Sequence, residues 1–157
     1  GVFVSPHFTL GQFVCKQAAA YPKYLAFRER ILLKLELILE EVNGRGYRAD
    51  TLTVLSGYRT PYHNRRIGQG QYSRHPWGDA ADILIDEDPK DGRMDDLNKD
   101  GQVNRRDAQL LCGIIDIFFK QPQYRQLAGG LSWYRASSGH GPFVHVDARG
   151  WVVHWSR

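Results

Sequence analysis

The stretch Tyr72 to Asp86, YSRHPWGDAADILID, decides how this chain is read. Ala81 to Ile85 is an apolar, strand-like run, and His75 stands seven residues ahead of Asp82, at the start of that run. A carboxylate on a strand with a histidine just upstream can form part of a metal site. A catalytic zinc takes three protein N or O ligands and keeps a fourth position open for water. The third ligand is offered by Gly141 to Asp147, GPFVHVD, where strand alternation puts Phe143, His145 and Asp147 on one face and Val144 and Val146 on the other. His75, Asp82 and His145 are therefore the candidate metal ligands. His7, His63 and His154 stand in no such pattern and read as structural or incidental.

Working outward, SGYRTPYHNRR precedes the deciding stretch. Gly57 breaks a strand formed around Leu52 to Leu55, and Thr60 with Pro61 makes an N-cap and first helical position, so Tyr62 to Ile67 is expected to form one or two turns. Arg59 then falls at a strand-to-helix corner, where its guanidinium can serve either a surface salt bridge or bidentate capture of a carboxylate. Gly68 and Gly70 form a flexible loop that lacks the G-K-[ST] of a phosphate loop.

Further upstream, Arg28 to Val42 is the strongest helix, with Ile31, Leu32, Leu35, Ile38, Leu39 and Val42 at helical spacing and Asn43-Gly44 at its end. Thr9, with Gln12 in the capping-box position, starts a shorter apolar face formed by Leu10, Phe13, Val14 and Ala18. Downstream, Asp86 to Gly101 is rich in Asp, Lys and Gly. It lacks the full calcium-loop order D-x-[DN]-x-[DN]-G with a terminal Glu, and reads as an ordinary charged loop. Asn104 caps a second long helix whose face carries Leu110, Leu111, Ile114, Ile115, Phe118 and Phe119. Leu131 to Tyr134 reads as a short strand. Phe143 to Ala148 and Trp151 to Trp155 flank Arg149-Gly150, a spacing suited to a tight antiparallel hairpin.

At 157 residues with 42% hydrophobic content, the chain fits one ordinary domain, 1–157, and can bury a core without staples. The net charge of +4 is spread along the chain with no basic tail, so a nucleic-acid partner is not expected. No apolar run is long enough to cross a bilayer. Cys15 and Cys112 read as buried free thiols, with a single bridge as the alternative in an oxidising compartment.

SGYRTPYHN, followed by SRHPWGDAAD and later FVHVD, resembles the zinc-dependent M15 D-alanyl-D-alanine peptidase superfamily, in particular its peptidoglycan endopeptidase and carboxypeptidase branches. The resemblance implies a compact α+β domain with helices packed on a small, mainly antiparallel sheet, and Zn2+ bound by His75, Asp82 and His145. It also implies that Arg59 holds a substrate carboxylate and that Ser73 is a nearby hydrogen-bonding group. The implied partners are peptidoglycan peptides, and the implied location is extracytoplasmic, with a phage-derived lysin as another source. Trp77, Trp133, Tyr134, Trp151 and Trp155 are aromatic candidates for a cleft, of which Trp133 and Tyr134 are taken as substrate-binding residues.

Zinc in such a site polarises a peptide carbonyl and lowers the pKa of water, while a neighbouring base moves the proton. Many family members carry Asp or Glu three residues before the last histidine ligand, where this chain has Pro142. His140 and Asp147 are the replacement candidates. His140 has the more suitable unperturbed pKa, and Asp147 shares strand parity with His145. Two functions follow as expectations: a zinc peptidoglycan peptidase, endopeptidase ahead of carboxypeptidase, and a catalytically impaired binding or regulatory module with the same cleft.

Overall fold

The computed structural model describes residues 1–18 and 21–156. In chain order its elements are β1 (Phe3–Ser5), β2 (Phe8–Thr9), α1 (Leu10–Phe13), α2 (Glu29–Gly44), β3 (Thr53–Ser56), α3 (Pro61–Arg66), β4 (Ala80–Leu84), α4 (Arg105–Phe119), β5 (Gly130–Tyr134), β6 (Phe143–Asp147) and β7 (Val153–Ser156). Short 3-10 segments lie at His75–Trp77 and Pro122–Leu127.

β1 and β2 pair with each other, and the remaining strands form one sheet in the order β3-β4-β6-β5-β7. Every ladder in that sheet is antiparallel except the parallel pair β5 and β7. This is the expected α+β architecture with a mainly antiparallel sheet. Cross-strand partners point to the same side of a sheet, so the register sorts residues by face. Ala81 pairs with Val146, Ile83 with Val144, and Leu131 with Val146. These residues share one core with Leu35, Ile38 and Leu39 of α2 and Leu111, Ile114 and Ile115 of α4. Each such buried aliphatic side chain contributes roughly 1.5–3 kcal/mol. The opposite parity carries Asp82, His145, Ser132 and Trp155.

The expected closing hairpin does not form. Phe143–Asp147 and Val153–Ser156 are not partners, because β7 runs on the far side of β5. Local backbone bonds steer it there: Gly150 donates to the Ala128 carbonyl at 2.8 Å and Val153 donates to that of Gly129 at 3.3 Å. Gly150 takes φ +104°, a turn that glycine accepts without strain.

The helix starts follow their local chemistry. Thr60 Oγ1 accepts from the His63 amide at 3.1 Å with Pro61 in the first turn, and Gln12 Oε1 accepts from the Thr9 amide at 2.7 Å. α1 nevertheless ends at Phe13, short of the apolar face expected through Ala18. The Phe13 carbonyl accepts from the Tyr58 amide at 2.9 Å, and the Cys15 amide donates to the Tyr24 carbonyl at 3.0 Å, so tertiary bonds take the groups a longer helix needs. Gly57 fits against this corner because a Cβ there would lie 2.7 Å from Phe13 Cα. Cys15 and Cys112 are free thiols, and among the described residues no helix is long and apolar enough to cross a membrane.

Candidate metal centre

Asp82 at the middle of β4 and His145 at the middle of β6 are direct cross-strand partners, so the ladder itself aims the carboxylate and the imidazole at each other. His75 reaches the same point from the 3-10 segment that leads into β4. All three side chains are buried, and one ligand atom from each lies within 4.8 Å of the others. Asp82 Oδ1 is 3.3 Å from His75 Nε2 and 3.0 Å from His145 Nδ1.

The hydrogen bonds fix which nitrogen of His75 is free. Its Nδ1 sits 2.6 Å from the Gly57 carbonyl, an acceptor only, so Nδ1 carries the proton and Nε2 presents a lone pair. That Nε2 is buried and has no hydrogen-bond partner among the described residues. Burial pushes the His75 pKa below its ordinary value, outweighing the pull of the Asp82 charge. For Asp82, burial works upward, but the facing His75 and the hydrogen bond from His145 hold the carboxyl well below its usual range. A neutral imidazole lone pair therefore points at an ionised carboxylate oxygen. Two acceptors at that distance call for a cation between them, and the donor set of two imidazoles and one carboxylate suits zinc.

The surroundings are built for orientation. Arg59 bonds Asp82 Oδ2 through Nη2 and Ser56 Oγ through Nε at 2.8 Å. Asp147 Oδ2 lies 3.1 Å from His145 Nε2, while Arg149 Nη2 and the Gly130 amide donate to the same carboxylate at 2.6 and 2.7 Å. Burial tends to raise the Asp147 pKa; the bonds from His145, Arg149 and Gly130 hold it far below the usual carboxylate range. Burial also opposes the charge on His145, yet its bonds to Asp147 and Asp82 raise its pKa above the ordinary histidine value. The cluster forms part of the wall of a cleft of about 350 Å³ that Arg59, Ser73, Tyr134, Arg149 and Trp155 also line.

Of the residues expected to bind substrate, Ser73 and Tyr134 line the cleft beside the cluster, and the Tyr134 hydroxyl accepts from Trp155 Nε1 at 2.8 Å. Trp133 does not. It pairs with Val144 on the helix-facing side of the sheet and lines a different cavity, against Cys112 and Gly113 of α4. His140 also lies outside the cleft: it is exposed, borders a second cavity beside Asp88 to Asp96, and packs its ring on Phe143 at 4.9 Å. Sequence reasoning missed Arg149 as an Asp147 partner and cleft residue. It also missed Gly130, whose missing Cβ makes room for Asp147: a Cβ there would lie 2.4 Å from Asp147 Oδ2.

A buried His-Asp-His set opening on a cleft is a donor set that a metal-dependent hydrolase can use. A family model described as Peptidase M15 matches residues 6–104, and the chain belongs to that family. Membership implies a peptidase, and the peptidases of this family are metallopeptidases, usually with zinc. His75 and Asp82 fall inside the matched range and His145 beyond it. No curated protein matches the chain.

Proposed function

We propose that the chain is a zinc peptidase of the cell wall, hydrolysing peptide bonds in peptidoglycan stem peptides or cross-links, endopeptidase ahead of carboxypeptidase, in an extracytoplasmic setting. The observation that carries this reading is the orphaned Nε2 of His75, buried and aimed at Asp82 beside His145. His75, Asp82 and His145 hold the metal. Zinc supplies a Lewis acid for the scissile carbonyl and a lowered pKa for water. Gly57 and Asp147 fix the ring orientations of His75 and His145, as outer partners of metal-bound imidazoles do.

Arg59 receives a substrate carboxylate by exchanging its bond to Asp82, and Ser73, Tyr134 and Trp155 form the walls against which the peptide lies. Asp147, clamped by Arg149 and held ionised, is a positioning residue and a poor proton shuttle. His140 is the candidate for proton transfer, placed outside the cleft with its ring packed on Phe143, a residue that lines the cleft. A second reading is favoured by Pro142 and by the placement of His140 at a neighbouring cavity: a binding or regulatory module that retains the cleft and has lost efficient hydrolysis.

Digestion of purified peptidoglycan by the zinc-loaded protein, with mass analysis of the products and His75→Ala as control, separates the readings. Cleaved cross-links support the endopeptidase, and release of a terminal amino acid supports the carboxypeptidase. Full zinc occupancy with muropeptide binding and no turnover leaves only the module.

A further inference from the structure

The charged loop after β4 lacks the terminal glutamate of the calcium-loop pattern, yet its head is intact in Asp96-Leu97-Asn98-Lys99-Asp100-Gly101. Side-chain oxygens stand at the first, third and fifth positions and glycine at the sixth. Gln102 provides a main-chain carbonyl at the seventh position. Asp107 occupies the twelfth, where it keeps the carboxylate and drops one methylene. The acids of the preceding half, Asp86, Asp91 and Asp95, have no such order; they accept from nearby backbone amides, as Asp96 and Asp100 also do.

The backbone of the loop has the curl that the pattern requires. Gly101 has φ +85° and Lys99 φ +59°, so the chain curls tightly, and the loop runs directly into α4 at Arg105. Asp107 is completely buried. Its Oδ1 accepts from the amides of Leu97 and Asn98 at 2.9 and 3.2 Å and its Oδ2 from the amide of Asn104 at 2.8 Å, which holds the carboxylate between the head of the loop and the first turn of α4. Among the described residues, the only basic side chain paired with Asp96, Asp100 or Asp107 is Arg106, 3.4 Å from Asp100. Asp107 is thus a buried carboxylate that pairs with no basic side chain among the described residues, in a stretch whose three Asp are matched in number by Lys99, Arg105 and Arg106. Amide hydrogen bonds orient such a group without neutralising it, and a buried charge needs an opposite one.

We propose that Asp96 to Asp107 form a calcium site, with side-chain oxygens from Asp96, Asn98, Asp100 and Asp107 and the Gln102 carbonyl as ligands. Calcium fits better than magnesium because a flexible loop of mixed oxygen donors suits six to eight ligands, whereas magnesium demands a near-ideal octahedron. The ion ties the loop to the first turn of α4, the helix that backs β5 and β6. Leu97, buried beside Asp107, is carried with it. This site is separate from the histidine cluster and does not depend on the peptidase reading.

The test is calorimetric titration of the zinc-loaded protein, freed of calcium on a chelating resin, with calcium chloride and separately with magnesium chloride. The melting temperature is followed in parallel. One calcium per chain is expected, with Kd on the order of 10⁻⁵ to 10⁻³ M and a rise in melting temperature. Asp100→Ala and Asp96→Asn should each weaken binding at least tenfold, while Asp91→Asn leaves it unchanged. Absence of binding up to about 10 mM calcium, well above that range, overturns the proposal. So does wild-type affinity in the Asp100→Ala and Asp96→Asn proteins, or loss of binding in Asp91→Asn.

Discussion

His145 and Asp147, two residues apart on β6, are bonded to each other: Nε2 of the imidazole lies 3.1 Å from Oδ2 of the carboxylate. The parity of a strand makes this possible, and it leaves Nδ1 of His145 directed at Asp82. Asp147 therefore acts on a metal through the ring it holds. Asp147→Asn should weaken zinc affinity roughly 10- to 100-fold, as loss of an outer partner does, while zinc at saturation still reaches one per chain. Competition with a chromogenic chelator measures it, and an unchanged affinity would remove Asp147 from the metal's support.

Removing a ligand has a larger effect than removing its support. His75→Ala and His145→Ala should each bring zinc content close to zero after gel filtration, measured by elemental analysis. Retention of one zinc per chain in either variant would place the metal elsewhere.

Arg59 is joined to Asp82 and to Ser56, and it lines the cleft. A charge-assisted bond of this kind contributes about 1.5–3 kcal/mol. Arg59→Lys should therefore lower kcat/KM roughly 10- to 100-fold, chiefly through KM, for peptides with a free carboxylate. The loss should be smaller for the same peptides carrying a terminal amide. Equal losses for both would deny Arg59 a carboxylate-binding role.

Gly130→Ala puts a methyl group 2.4 Å from Asp147 Oδ2 and 2.9 Å from the Trp155 ring. Such crowding costs about 1–3 kcal/mol. A lowered urea midpoint is expected together with reduced zinc affinity. Gly139→Ala, with nothing within 4 Å of the new methyl, is the matched control and should change neither.

Lys34 of α2 is buried and donates to the carbonyls of Leu127 and Asp147 at 2.9 and 2.8 Å. Burial pushes its pKa down to about 8 from 10.5, with Asp147 pulling upward and Arg30 downward. The folded state thus holds this proton less tightly than the unfolded chain. The charge opposes folding in full below its folded pKa, and the opposition lifts as pH rises toward 10.5. Its size is on the order of 3 kcal/mol. Burial also raises the Cys112 thiol to about 11 from 9.0, which works in the opposite sense at alkaline pH. The stability difference between wild type and Lys34→Met cancels the thiol. It should move toward wild type between about pH 7 and pH 10, and a difference flat across that range would contradict the assignment.

Much of this architecture was legible in the residues. Two long helices announced themselves by spacing; His75, Asp82 and His145 were candidates from their donor types and strand alternation, and the resemblance of SRHPWGDAAD and FVHVD to M15 peptidases implied them as one ligand set. Trp133 was misplaced although the same alternation forbids it from sharing a face with Tyr134. The closing hairpin failed for a different reason: Arg149-Gly150 permits a tight turn or a crossing, and the choice is made by bonds to Ala128 and Gly129, twenty or so residues away in sequence. The Gly57 carbonyl, which sets the tautomer of His75, carries no side-chain signature. His140 lies in a loop, where no periodicity tells which way a side chain turns.

The strand order also divides the cleft by how readily its parts open. β4 and β6, which bear Asp82 and His145, are each paired along both sides, whereas β7, which bears Trp155, is paired among the described residues with β5 alone. Amides of a doubly flanked strand exchange with solvent through near-global opening, and those of an edge strand exchange through local fraying. The floor that bears Asp82 and His145 therefore belongs, with β5, to the slow-exchanging part of the sheet, while the edge strand that carries the aromatic wall exchanges faster.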